Sequence, residues 1–289
     1  MSNDGTVTWR ELLVQATDTL GDANEARWLC EEAYGEQGAA FQTALGLATT
    51  ERLVVRFEAL LARRQGGEPL QYVLGSWSFR TIELMVDERV LIPRPETEVV
   101  VGVALDRARA LPYPIRAVDL GTGSGAIALA LAAELPIGSV EVWGTDLSED
   151  ALDVARANLA GLGRRGSAVR FVQGCWFDAL PAELAGAVNL IVANPPYIAP
   201  DDPELDEAVR LWEPHLALFA DNHGLAAYET IMADAPRWLA EGGWLVLEIG
   251  HRQAAAVSAL CVGAGMIDVA THRDLGGLDR VVVARFSRQ

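Results

Sequence analysis

The sequence contains no lysine, so all 23 of its basic residues are arginine. This absence excludes Schiff-base and lysine-nucleophile chemistry, as well as a phosphate-binding loop built around lysine. Acidic residues number 40, which gives a net charge of −17. Because tight binding to nucleic-acid phosphates needs clustered positive charge, the composition argues against a direct nucleic-acid partner. The acidity is spread along the chain, and its simplest interpretation is solubility.

Cysteine and histidine are also scarce, with three and four copies respectively, and none stands in metal-ligand spacing. A structural metal is therefore not expected, and three widely separated cysteines fit a reducing compartment. The sequence has no apolar run long enough to cross a bilayer, and its polar, acidic start differs from a signal peptide. We expect a cytoplasmic protein without membrane contact.

Two kinds of pattern divide the chain. Residues 8–65 show apolar side chains at helical spacing, whereas residues 70–87 alternate and contain many strand-forming side chains. Farther along, helices alternate with strands, which predicts an α/β fold with a mainly parallel, seven-stranded, doubly wound sheet and an antiparallel final strand. The expected domains are a helical bundle at 1–68, a bridging β-hairpin and linker at 69–97, and a larger domain at 98–289. On the residues alone, the bundle is equally a structural cap or a surface that docks a partner.

A glycine-rich turn between a predicted strand at 116–120 and a helix at 126–134 indicates a nucleotide-type ligand. Asp146 closes the next strand, where its carboxylate can accept from both ribose hydroxyls. The spacing is Gly-x-Gly-x-Gly, unlike that of dinucleotide binders. A ligand with a ribose and an amino-acid tail but no pyrophosphate fits, and S-adenosylmethionine is such a ligand. The predicted loop contacts are Gly121, Thr122, Gly123, Ser124 and Gly125.

Two further stretches have two interpretations each. Trp176 follows a predicted strand at 168–173, where its ring either stacks on the adenine or walls the adenine pocket, or instead belongs to the core. Residues 90–99 carry two prolines around Arg94, which hold the chain extended before a helix that begins at Glu96 or Thr97. This charged, stiff stretch is a solvated linker or, as we prefer, a wall of the active site.

The most informative stretch is Asn194, Pro195, Pro196 and Tyr197, which follows a short apolar strand at 188–193. Two successive prolines force an extended loop at the carboxyl end of that strand, where open α/β sheets bind ligands. A planar NH2 group is a poor nucleophile, and the Asn194 side-chain oxygen with the Pro195 carbonyl can accept both of its hydrogens. Tyr197 would stack on its flat face. The alternative is a proline-stiffened surface turn.

The motifs together resemble the HemK/PrmC family, the glutamine methyltransferases of peptide chain release factors. The resemblance rests on 119–128 with Asp146, on Glu-Pro-Leu-Gln-Tyr at 68–72, on Leu-Ile-Pro-Arg-Pro-Glu-Thr-Glu at 91–98, on 194–198, on Glu-Ile-Gly at 248–250 and on 274–280. It implies a Rossmann-like methyltransferase fold, S-adenosylmethionine as methyl donor with S-adenosylhomocysteine as product, and a release factor as protein substrate. The methyl group would go to the side-chain amide of the glutamine in a Gly-Gly-Gln loop.

By the family pattern, the cofactor would be contacted by residues 121–125, Asp146, Trp176 and Asn194. Residues 194–197 would bind the glutamine, with Asn194, Pro195 and Tyr197 catalytic. The helical bundle would dock the release factor, and the enzyme is expected to be a monomer. The alternative is a DNA or RNA methyltransferase that acts on an exocyclic base amine after base flipping. A nicotinamide-dependent oxidoreductase and a non-catalytic cofactor-binding scaffold fit the motifs less well.

Overall fold

The structure, a computed structural model, describes residues 7–288 and divides into two units after Ser76. The first unit is helical, as its 3.6-residue periodicity predicts. Thr8 and Glu11 form a capping box at its first helix, with the Thr8 amide donating to Glu11 Oε2 over 2.9 Å. Its core centres on Trp9, which meets Tyr34 edge to face at 5.4 Å. The helices are α1 (Trp9–Leu20), α2 (Ala23–Tyr34), α3 (Ala39–Ala44), α4 (Glu51–Gln65) and α5 (Leu70–Leu74).

Helix α5 corrects the prediction of strands across residues 70–87. It forms because Leu70 and Val73 lie three residues apart and both pack into the helical core, a spacing that suits a helix. Arg63 also donates to the carbonyls of Tyr72 and Val73, at 3.0 and 3.3 Å. Gly75 ends the helix in the left-handed conformation. Extended structure begins only at β1 (Ser76–Phe79), which pairs with β2 (Ile82–Met85) in a two-stranded sheet; its bridging role stays a prediction.

The second unit confirms the predicted α/β fold with a seven-stranded sheet in the order β5-β4-β3-β6-β7-β9-β8. Pairings among β3 to β7 are parallel, whereas the final strand, β9, pairs antiparallel with both β7 and β8, as predicted. The strand order reverses between β3 and β6, which is the position where such sheets bind ligands. The strands are β3 (Ile115–Leu120), β4 (Val140–Asp146), β5 (Val169–Gln173), β6 (Val188–Ala193), β7 (Leu239–Glu248), β8 (Ile267–Arg273) and β9 (Asp279–Arg285).

The helices of the second unit largely follow the predicted alternation, with two differences. Helix α6 begins at Pro95, before the predicted start, because proline suits the first helical position, where no intrahelical N–H bond is required. Residues 201–219, for which no helix is predicted above, contain two short helices. Among residues 7–288, no helix has both the length and the apolar character needed to cross a bilayer. The helices are α6 (Pro95–Arg109), α7 (Ala126–Glu134), α8 (Glu149–Gly161), α9 (Glu207–Trp212), α10 (His215–Leu218), α11 (Asp221–Gly224), α12 (Ala226–Trp238) and α13 (Ala254–Gly263).

A buried carboxylate ties the turn after β3 to the helix that follows it. Asp119 Oδ2 accepts from the Thr122 hydroxyl at 2.6 Å and from the Ala128 amide at 3.1 Å. Within the described residues, Asp119 Oδ1 has no hydrogen-bond partner. Burial raises the pKa of Asp119 to about 7, and the nearby charge of Asp146 adds to the increase, although the two hydrogen bonds oppose it. Asp119 therefore holds the turn, but its charged form lowers the stability of the folded protein because the carboxylate is buried.

Replacing Asp119 with asparagine tests this loss of stability, because the effect of the Asp119 charge on the free energy of unfolding depends on pH. Because the folded-state pKa lies above the ordinary value, the contribution of Asp119 to stability is fully present below about pH 4 and is lost as the pH rises to about 7. We expect the stability of D119N relative to wild type to increase across that window, by at most about 1.4 kcal/mol per pH unit. Urea unfolding of the ligand-free protein between about pH 5 and 8 measures this difference.

The control is D234N, which removes one charge from the exposed face of α12. A constant difference between D119N and wild type across the pH range would contradict the assignment.

Candidate active site

The carboxyl ends of the central strands open onto one cavity in the second unit. Leu120, the last residue of β3, pairs with Thr145 of β4 and with Ala193 of β6, so the loops after these strands are neighbours. The cavity has a volume of about 220 Å³. Most of the predicted site residues line this cavity, together with two further segments, one around Leu91 and one around Leu216. Its lining includes Val90, Leu91, Pro93, Thr97, Gly121, Thr122, Gly123, Ser124, Asp146, Cys175, Trp176, Asn194, Pro196, Pro214, Leu216 and Ala217.

The glycine-rich loop turns sharply because all three of its glycines adopt positive φ. Gly121 has φ 72°, Gly123 has φ 55° and Gly125 has φ 83°, values that residues with a Cβ rarely adopt. The amides of Gly121 and Thr122 both donate to the Thr145 carbonyl at 2.9 Å, which fixes the loop against β4. Gly125 lies outside the cavity lining: it caps α7, and a Cβ there would lie 3.0 Å from the Phe171 ring. The structure thus gives Gly125 a packing role, and its predicted cofactor contact stays a prediction.

Asp146 lies on the cavity wall and holds both flanking loops. Its Oδ2 accepts from the Gly123 amide and its Oδ1 from the Ser148 amide, each at 2.9 Å. Burial raises the pKa of Asp146, whereas these backbone hydrogen bonds lower it. A carboxylate has about four acceptor positions, so each oxygen retains the capacity to accept a ligand hydroxyl.

Trp176 forms another part of the wall and has an unusual backbone. It adopts φ 47°, a left-handed conformation that is rare for a bulky residue and persists where the surroundings enforce it. The partly buried side chain packs against the core of the sheet and also lines the cavity. The ring reaches to within 3.4 Å of the position where a Cβ of Gly121 would stand. The two sequence interpretations, a core residue and a pocket wall, are therefore combined in one side chain.

The four residues of the Asn-Pro-Pro-Tyr loop take different positions. Asn194 and Pro196 line the cavity, whereas Pro195 and Tyr197 lie outside the lining. The Tyr197 side chain points to a buried carboxylate, and its hydroxyl donates to Glu248 Oε1 at 3.4 Å. The Tyr197 carbonyl accepts from Gln253 Nε2 at 3.1 Å. This loop is thus held by the protein core, unlike a solvated surface turn.

Two buried polar residues, which the sequence analysis did not name as site residues, stand behind Asn194. Asn194 Nδ2 donates to Thr97 Oγ1 at 3.3 Å, and the Thr97 hydroxyl donates to Glu248 Oε2 at 2.7 Å. Burial raises the pKa of Glu248 to about 7, while the hydrogen bond from Thr97 and the positive charge of Arg280 lower it. The signal in the sequence was a carboxylate directly after the apolar run at 244–247. That this run pairs with the strand leading to Asn194 is visible only in the structure.

An ion pair joins the two outer walls of the cavity. Arg94, in the proline-flanked stretch, contacts the buried Glu213 through Nη2, and Glu213 Oε2 accepts from the Ile92 amide at 3.2 Å. Val90, Leu91 and Pro93 on one side and Pro214, Leu216 and Ala217 on the other line the cavity. Residues 90–99 therefore contribute a wall to this cavity instead of a solvated linker, and the role of that wall in an active site stays a prediction.

These groups fit S-adenosylmethionine. The glycine turn leaves room for close backbone approach at Gly123, where a Cβ would meet no atom within 4 Å. Asp146 offers acceptors for a ribose diol, and Trp176 offers a ring surface for a base. Asn194 places a carboxamide in the same cavity. Chemically, the arrangement can bind a nucleoside-type ligand and hold an amide or amine beside it.

Each of the two units matches a known protein family. Residues 117–217 match the family described as "Methyltransferase domain", and residues 11–75 match the "PrmC N-terminal domain". A solved methyltransferase from Pyrococcus furiosus is 16% identical, with a TM-score of 0.52 over 72% of this chain and 90% of that one. At this identity the likeness concerns the fold alone.

Curated relatives match nearly the whole chain. The "Release factor glutamine methyltransferase" of Burkholderia pseudomallei (strain K96243) is 42% identical over 90% of both chains. The protein of the same name from Salmonella typhimurium (strain LT2) is 40% identical over 96% of this chain and 97% of its own length. With this identity over both units, the chain belongs to the release factor glutamine methyltransferase family.

Proposed function

We propose that this protein transfers a methyl group from S-adenosylmethionine to the side-chain amide nitrogen of the glutamine in a release factor Gly-Gly-Gln motif. The observation that carries the proposal is that the carboxamide of Asn194 shares one cavity with the Gly121–Ser124 turn and Asp146. The turn that would bind the cofactor and the carboxamide that would recognise the substrate amide therefore both lie at the point where the strand order reverses. Family membership supports the same reaction and substrate.

The residues of the chain would perform two tasks in this reaction. Asp146 and the 121–124 turn would hold the cofactor, which supplies an electrophilic methyl group when bound. Asn194 Oδ1 and the Pro195 carbonyl would accept the two N–H groups of the substrate amide and orient its nitrogen, a contribution of positioning and preorganised dipoles. A dedicated general base is not required, because the methylated cation is strongly acidic and loses its proton to solvent.

The roles of Tyr197 and of the helical unit complete the proposal. The ring of Tyr197 would stack on the flat amide of the substrate; its hydroxyl is held by Glu248, and the residue itself lies outside the cavity lining. The helical unit, which matches the PrmC N-terminal domain over residues 11–75, would dock the release factor.

Labelled methyl transfer with three acceptors tests the function. Purified protein is incubated with tritiated S-adenosylmethionine and a release factor, the same release factor with the motif glutamine changed to alanine, or DNA and RNA. We expect label in the first acceptor alone, and mass spectrometry should locate one added methyl group on the glutamine. Label in nucleic acid, or equal label in the glutamine-less release factor, would contradict the proposal.

Asn194→Ala tests the amide-binding group. The variant keeps the loop prolines but lacks the side-chain acceptor, so we expect the transfer rate to fall by roughly a hundredfold or more. The dissociation constant for the cofactor, measured by calorimetry, should change by no more than about threefold, because the 121–124 turn and Asp146 are intact. A variant that labels the release factor at the wild-type rate would remove Asn194 from the site.

Asp146→Ala tests the cofactor-binding group. Because both carboxylate oxygens would be lost from the cavity wall, we expect the dissociation constant for S-adenosylmethionine to rise by roughly tenfold or more. Asp234→Ala, on the exposed face of α12, controls for the loss of one negative charge. Equal affinities in D146A and D234A, compared at the same pH and salt concentration, would contradict the assignment.

A further inference from the structure

The side-chain amide of Asn194 is the end of a hydrogen-bonded chain that leads into the protein interior. Asn194 Nδ2 lies 3.3 Å from Thr97 Oγ1, and Thr97 Oγ1 lies 2.7 Å from Glu248 Oε2. Thr97 is 4% exposed and Glu248 is 1% exposed, so water has little access to the bond between these two residues. The three residues come from the loop after β6, from α6 and from the end of β7.

The direction of the hydrogen bonds along this chain follows from chemistry. An ionised carboxylate only accepts, so the single hydroxyl proton of Thr97 is donated to Glu248. Thr97 Oγ1 can then only accept from its other neighbour, and Asn194 must present its NH2 group to it. The carbonyl oxygen of the Asn194 amide is therefore left to face the cavity.

We propose that Thr97 and Glu248 are positioning residues that hold the Asn194 carboxamide with its carbonyl oxygen toward the amide nitrogen of the substrate. The inference rests on the proposed function, because it specifies how that site recognises an NH2 group. The nitrogen and oxygen ends of an asparagine amide have nearly the same shape, so packing alone selects poorly between two orientations. A flipped Asn194 would direct its own N–H donors at the N–H donors of the substrate.

Several charged and titratable groups surround Glu248. Arg280 and Tyr197 favour its ionised form, which accepts hydrogen bonds. Arg280 lowers the pKa of Glu248 and is itself held by Asp274 at 3.3 Å and by the Ile249 carbonyl at 3.3 Å. The Tyr197 hydroxyl is a second donor to the carboxylate, whereas the charge of Glu96 acts in the opposite direction. The neighbouring hydroxyl of Tyr228 donates to the Glu248 backbone carbonyl at 2.9 Å.

Protonation of Glu248 would permit the opposite direction. A neutral carboxylic acid can donate to Thr97, which can then donate to the Asn194 oxygen and turn the NH2 group to the cavity. Burial raises the pKa of Glu248 to about 7, so this change falls in an accessible pH range. The transfer rate at saturating substrate should therefore decline as the pH falls through about 7.

The test compares four variants by kcat, KM for the release factor, cofactor dissociation constant and Tm. T97V removes the hydroxyl but keeps the branched shape, and E248Q keeps the shape but adds a donor that can reverse the chain. We expect both to lower kcat by roughly tenfold or more, with the cofactor dissociation constant within about threefold of wild type. T97S should restore at least about a third of the wild-type rate. T230V, which removes an exposed hydroxyl bonded to Ala226 on α12, is the control.

The pH profile separates positioning from mere support of the fold. In T97V the carboxylate of Glu248 can no longer act on Asn194 through the hydroxyl, so the decline of kcat near pH 7 should disappear. A purely structural role would instead lower Tm and weaken cofactor binding while the midpoint of the profile stayed in place. Wild-type kcat in T97V, or an unchanged midpoint, would overturn the inference.

A spectroscopic measurement is independent of turnover. The side-chain NH2 signal of Asn194, identified in a 15N spectrum by its loss in N194A, should be protected from exchange with solvent in wild type and T97S but not in T97V. Equal exchange rates in wild type and T97V would overturn the inference whether or not the protein methylates a release factor. A wild-type protein that shows the protection but leaves the release factor unlabelled would contradict the proposed function alone.

Discussion

The parallel pairing of β3 with β6 is the constraint on which the site depends. The register places Leu120 opposite Ala193, so the next residues, Gly121 and Asn194, begin two loops at the same edge of the sheet. Parallel strands end with their carboxyl termini together, and the strand order reverses at this pair. A shift of the register would separate the glycine turn, which we propose binds the cofactor, from the Asn194 loop, which we propose binds the amide, even if every residue stayed the same.

Buried carboxylates concentrate at this edge. Asp119 and Glu248 are fully buried, with the pKa of each raised to about 7, and the pKa of the less buried Asp146 is also raised. Such groups cost stability unless they are hydrogen-bonded, and they cluster where a protein must orient a ligand or hold a loop. Asp119 and Asp146 bind the glycine turn, whereas Glu248 supports the other half of the site through Thr97 and Tyr197. Different carboxylates therefore hold the glycine turn and the other half of the site.

Some elements could be predicted from local pattern because their cause is local. Helix α7 and strand β6 have the predicted bounds, since a glycine turn starts one and a double proline ends the other. Helix α5 could not be predicted, because Leu70 and Val73 become helical through packing on residues far away in sequence. Gly125 and Tyr197 belong to the expected motifs, yet their positions outside the cavity lining depend on Phe171 and Glu248, which lie on other strands.

The sequence by itself determined the α/β class, the glycine turn closed by Asp146, the proline-stiffened loop at Asn194 and the resemblance to a methyltransferase family. These features depend on residue types at short spacing, for which backbone sterics and periodicity suffice. Only the tertiary structure decided that Thr97, Asn194 and Glu248 form one hydrogen-bonded chain, and that Arg94 joins two walls of the cavity through Glu213. The physical reason is distance along the chain: residues 97 and 248 meet only after the sheet has folded, and no local preference records the direction of their hydrogen bond.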